Sequence, residues 1–211
     1  MTQNETSLMI ESLVRPIGPS LFELISLAVV EADTRTNGVT ADTIGLSHTI
    51  MVRALARTLL IDHEHCPIGW VVEGQGHRMA QTILRHTETG ITLRLLKEST
   101  VNPNGVPHAG RNLARRSAWS GAVPLEGLDL GHRTATSLTC LLLWKKDGDK
   151  ISLRVVHTVE EGRYGAGTAV DLDIQLGATA TEVTVHRTFH TGDDTDFFYV
   201  DTERDDAGEV L

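Results

Sequence analysis

Cysteine, lysine and long apolar runs are the scarce features of this 211-residue chain. Its two cysteines, Cys66 and Cys140, are too few for a disulfide framework and form no Cys-x-x-Cys motif, so both are expected as free thiols in a reducing compartment. No apolar run approaches the roughly twenty residues of a membrane-spanning helix. Residues 1–5 lack the basic opening of a secretion signal, and an unexported, cytoplasmic protein is the expectation. Nucleophile-elbow and zinc-protease motifs are absent. Gly162-Arg163-Tyr164-Gly165-Ala166-Gly167 lacks the strand-then-helix setting and the Lys-Ser/Thr ending of a phosphate loop. No enzyme, cofactor or metal is therefore expected. What is present, 40% hydrophobic and 22% charged residues at a mean hydropathy of -0.09, suffices for a packed core in one or two domains.

The net charge of -9 is unevenly placed. Residues 1–120 balance eleven basic against eleven acidic side chains, whereas residues 121–211 carry eight against seventeen and so hold the whole excess. The first part has ten arginines and only Lys97, and the guanidinium fork suits phosphates and base edges. The acidic second part would repel nucleic acid and suits oligomerisation or ligand and partner binding.

Leu8, Met9, Ile10, Leu13 and Val14 are expected on one helical face, and Pro16, Gly18 and Pro19 end that pattern. Ser20 with Glu23 has the spacing of a capping box opening a buried helix over residues 21–30. Asn37-Gly38 marks a turn, after which Thr40 and Ser47 are placed to cap two further helical pieces. In residues 41–55, Ala41 allows close helix approach, Gly45 suits a turn, Leu46 plugs the interhelical angle and Ser47 caps the second helix of the pair. Met51 and Leu55 are expected to face the core, with His48, Thr49, Val52, Arg53 and Arg57 outward. Residues 59–72 read as strand, Pro/Gly turn and strand, and residues 79–84 as a closing helix.

This order resembles the winged helix-turn-helix DNA-binding superfamily over the N-terminal half. The resemblance implies a regulator-like protein that binds double-stranded DNA as a homodimer, with Ser47, His48, Thr49, Val52 and Arg53 in the major groove and Arg57 near the backbone. Ile50 stands where the pattern has a polar residue, and the wing segment carries Asp62, Glu64 and Glu73 with no arginine. The same module used as a protein-docking or assembly surface is the alternative, and a metal-dependent hydrolase using the histidines is a third.

The fold class expected is α+β: a helical domain over residues 1–90, a connecting segment over 91–131, an antiparallel sheet domain over 132–202 and an acidic tail over 203–211. A strand is read at residues 91–96. Asp147-Gly148 lies between apolar runs at 137–144 and 151–158, a hairpin signal. Residues 170–176 and 183–189 alternate with period two, which puts Asp171, Asp173, His186 and His190 on a solvated face. His63, His65 and Cys66 cannot close a tetrahedral site alone, since a strand projects Cys66 away from both histidines. Arg111, Arg115 and Arg116 form the one basic cluster, able to hold a phosphate or an acidic partner, or to pair with the chain's own acidic half.

Overall fold

The structure, a computed structural model, describes residues 3–62, 66–120 and 138–188. Three helices, α1 (Gln3–Val14), α2 (Gly18–Arg35) and α3 (Ala41–Ile61), precede a seven-stranded sheet. Its strands are β1 (Trp70–Glu73), β2 (Ile83–His86), β3 (Thr92–Lys97), β4 (Thr139–Asp147), β5 (Lys150–Thr158), β6 (Val170–Leu176) and β7 (Thr184–Arg187), and they lie side by side in chain order. Every pairing is antiparallel except β3 with β4, whose connection carries helix α4 (Leu113–Trp119). The architecture is α+β, and the boundary expected near residue 90 falls inside this continuous sheet.

One apolar core joins α1, α2 and α3 to the sheet, from Ile10 and Leu21 through Val52 and Leu60 to Leu142, Val155 and Ile174. A second cluster on the other face packs Trp119 and Val106 on Leu141, Leu143 and Val156. Strand β4 is thus covered on both sides, which is why Cys140-Leu141-Leu142-Leu143-Trp144 reads as an unbroken apolar run, all five residues buried. The hairpin read at Asp147-Gly148 is present, with Gly148 at φ 58° in the tight β4–β5 turn.

Four expectations are corrected. Helix α3 runs unbroken through Gly45 and Ser47, so no turn separates two helices there and Ser47 caps nothing. A mid-helix glycine costs about 1 kcal/mol, a penalty outweighed by burial of Val52, Ala56 and Leu60 along one stripe. The first strand of the expected wing is also absent at its start, because residues 59–61 belong to α3; His63, Glu64 and His65 lie outside the described residues. Of residues 79–84, the first four form a turn and link leading into β2 and the last two are its first residues; Met79 and Ala80 are both at φ 52°, a backbone shape incompatible with a helix. Finally, α2 begins at Gly18 with Pro19 in its first turn, so Ser20 and Glu23 lie inside the helix and do not form its cap.

No single helix among the described residues is long and apolar enough to cross a membrane; α1 and α2 meet at a 63° bend and bury their apolar faces in the core.

Candidate partner-binding groove

The α1–α2 corner forces a groove into the surface. Pro16 and Pro19 turn the chain sharply, and the groove is lined by Ile17, Leu24 and Leu27 from this corner and α2, by Leu59 near the end of α3, and by the loop Cys66-Pro67-Ile68. The resulting volume is about 560 Å³. Ile68 is 99% exposed and Leu27 is 51% exposed, an unusual display of large aliphatic side chains around one depression. Gly69, at φ 82°, permits the loop to turn back into β1, and the Cys66 thiol donates to the Trp70 carbonyl oxygen at 3.3 Å. Burial pushes the Cys66 thiol above its ordinary pKa, so it sits here as a packed, protonated group. Among the described residues, Glu23 is the one charged side chain lining the groove.

Comparison with protein-family models, with curated proteins and with solved structures finds no match. The site must be read from its own geometry.

That geometry places the residues expected at DNA mostly in internal contacts. Ser47 is exposed and Thr49 returns its hydroxyl to the Gly45 carbonyl. Val52 is fully buried in the core, a correction to its outward assignment: the inward stripe of α3 is 52, 56 and 60, with Met51 and Leu55 flanking it. His48 Nε2 lies 2.9 Å from Asp33 Oδ1, and Lys146 Nζ reaches the other oxygen of that carboxylate at 2.6 Å. Burial alone would raise the Asp33 pKa, but the hydrogen bonds from Lys146 and His48 outweigh it and hold the carboxyl below its usual range. These contacts tie α2, α3 and β4 together. Arg53 is half-buried.

Arg57 has become a structural clamp. Its Nη1 donates to the carbonyl oxygens of Glu73 at 2.7 Å and Gln81 at 3.0 Å, and its Nη2 to that of Gly74 at 3.0 Å. It therefore closes the β1–β2 turn onto α3, at a place where an added Cβ on Gly74 would lie 2.8 Å from the Gln81 oxygen. Arg57→Ala is expected to lower the unfolding free energy by about 2 kcal/mol, because three carbonyls lose a charged donor. Urea denaturation measures this, and a loss below about 0.5 kcal/mol would show that water replaces the clamp.

The basic cluster divides. Arg116 Nε pairs with Glu161 at 2.5 Å, Arg111 is exposed and precedes α4, and Arg115 lies along the Trp119 ring with its guanidinium carbon 6.0 Å from the ring centre. Arg111 and Arg115 thus share no helix face. On β6, the expected solvated row is covered: Asp173 pairs with Arg154, and Asp171 is buried against His157. Sequence reasoning missed both partners because they come from β5 and are fixed by strand register. His186 is exposed on β7, whereas His190 lies outside the described residues. Among the described residues no three His, Cys, Asp or Glu side chains converge as a metal site.

Proposed function

We propose that this protein is a non-catalytic docking module that takes an apolar segment of a protein partner into the groove between α2, the end of α3 and the loop carrying Ile68. The observation that carries the reading is Ile68 itself, almost wholly exposed beside Leu24, Leu27 and Leu59. An exposed aliphatic residue at a loop tip contributes nothing to folding, whereas burying it against a partner removes apolar surface from water at about 25 cal/mol per Å². The volume lies within the range of about 300–1,000 Å³ typical of binding clefts and accepts a few side chains. Glu23 at the groove and the chain's net charge of -9 favour a segment with basic flanks.

The DNA-binding reading draws less support, since Val52 is buried and His48 and Arg57 are engaged within the fold. A photo-reactive residue at position 68, compared with one at Asp149 in the remote β4–β5 turn, distinguishes these possibilities in cells. One discrete adduct is expected from position 68 and lost when Leu27→Asp is added; Ile68→Asp should change stability by no more than about 0.5 kcal/mol. Identical adducts from both positions would overturn the reading. Salt-sensitive retention of the purified protein on duplex DNA, unaffected by Leu27→Asp, would return the function to nucleic acid.

A further inference from the structure

Of the fifteen arginines in the sequence, thirteen are described, and ten of those have an evident destination. Arg15, Arg35, Arg85, Arg116, Arg154 and Arg187 end on carboxylates. Arg57 ends on backbone carbonyls, and Arg78, Arg111 and Arg163 are exposed to water. Arg53, Arg94 and Arg115 remain: all three are half-buried, and none meets a carboxylate among the described residues. This occurs in a chain with 28 acidic side chains against 19 basic ones, where folding had carboxylates to spare for neutralising them.

The three are held in place by different elements. Arg94 stands on β3 between Ile83 and Leu141 in register, with its guanidinium carbon 5.9 Å from the centre of the Trp119 ring. Arg115, one turn earlier on α4, lies against the same ring. Trp119 is fully buried and its indole N–H donates to the Pro107 carbonyl at 2.7 Å, so the ring is a fixed surface for both guanidinium groups. Arg53 comes from α3, which packs on β3, and its Nε is enclosed without a hydrogen-bond partner among the described residues. Burial, then repulsion from Arg115, lowers the pKa of both Arg53 and Arg94, and Arg53 adds to the effect on Arg94. Three like charges held within mutual range at a cost to the fold are an arrangement that a bound anion would relieve.

We propose that Arg53, Arg94 and Arg115 form a site for a phosphate-class dianion beside Trp119, separate from the docking groove and independent of its function. The class follows from the donors. One guanidinium fork suffices for a carboxylate, whereas three guanidinium groups near one another, two of them on the same ring, supply the charge and the number of N–H donors that a tetrahedral dianion accepts. Because the cluster is half-buried in an acidic protein, it suits inorganic phosphate or the phosphoryl group of a small molecule better than an extended polyanion.

The test uses the full chain, titrated with inorganic phosphate and separately with glycerol phosphate, against sodium chloride at matched ionic strength. Phosphate is expected to raise Tm and bind saturably, with the apparent Kd weakened at least about tenfold in Arg94→Gln and in Arg115→Gln and unchanged in Arg111→Gln. Glycerol phosphate binding at least as well would mark the phosphoryl group of a small molecule as the natural form, and exclusion of it would mark the free anion. In phosphate-free buffer, Arg94→Gln should melt no lower than the parent, since one of three repelling charges is gone; a purely structural arginine would melt lower. Should Arg94→Gln fail to fold, Arg115→Gln on the short helix decides the matter. Equal stabilisation by chloride, unchanged affinity in both variants, or binding of duplex DNA without binding of either phosphate would overturn the proposal.

Discussion

Replacing Arg154 by methionine is expected to lower the unfolding free energy by about 3–5 kcal/mol, the cost of leaving buried charges without their partner. Arg154 is 11% exposed on β5, and its Nε donates to Glu98 at 2.6 Å, its Nη1 to Asp173 and its Nη2 to the Asn104 carbonyl. One side chain therefore fastens the loop after β3 to the sheet and neutralises two carboxylates at once. The packing leaves no slack: at Gly105, with φ 70°, an added Cβ would lie 2.7 Å from Glu98 Oε2 and 2.8 Å from Arg154 Nη2. Methionine keeps the apolar volume of the stem but leaves Glu98 and Asp173 facing each other in a largely dry site. Arg154→Lys should fall between the two, since an ammonium group cannot reproduce the three-way fork. Urea unfolding of all three proteins measures this, and a loss below about 1 kcal/mol for methionine would show that solvent already screens the cluster.

The parts of the fold legible in the sequence were those governed by local pattern. Alternation over residues 170–176, the Asp147-Gly148 turn and the strand at Thr92–Lys97 depend on near neighbours, and all three are present. Helix α3 shows where local pattern misleads. Gly45 and Ser47 have the chemistry of a turn and a cap, but whether a glycine ends a helix depends on what the next turns bury. Val52, Ala56 and Leu60 commit that stretch to one straight helix across the sheet. Reading Met51 and Leu55 as the centre of the inward face turned the helix by about one residue, roughly 100°, and so placed a core valine in a DNA groove. The candidate sites were less legible still. Ile68 is an ordinary loop residue until the Pro16–Pro19 corner joins it in lining a groove. Arg94 lies in a strand pattern that gives no hint of Arg53 or Arg115, because α3 reaches β3 by tertiary packing and α4 is carried in the long connection between the parallel strands β3 and β4. The basic cluster read along the chain brought together neighbours in sequence, whereas the cluster in space draws one arginine from each of three elements.

Asp171→Ala is expected to cost about 3 kcal/mol, as breaking a buried pair by removing one partner does. Asp171 and His157 are 4% and 7% exposed at the side chain, with Oδ1 and Nδ1 2.6 Å apart. The His157 Nδ1–H donates to the carboxylate, while Nε2 is enclosed with no partner among the described residues. Taking away the carboxylate leaves both ring nitrogens unpaired next to the apolar core, opposite Cys140 and Leu172 in register. Asp171→Asn retains a carbonyl acceptor of the same size and should lose less. Cys140 gives an independent measure. Burial first, and then the charge of Asp171, push its thiol pKa up, so in the folded protein it is both inaccessible and protonated. In a Cys66→Ser background, labelling of Cys140 reports opening of the β4–β5–β6 core, and Asp171→Ala should accelerate it in proportion to the stability lost, with Asp171→Asn intermediate. Labelling that stays at the parental rate while urea unfolding shows the full loss would place the weakness elsewhere. Labelling that accelerates without loss of global stability would show that the pair guards only local opening around Cys140.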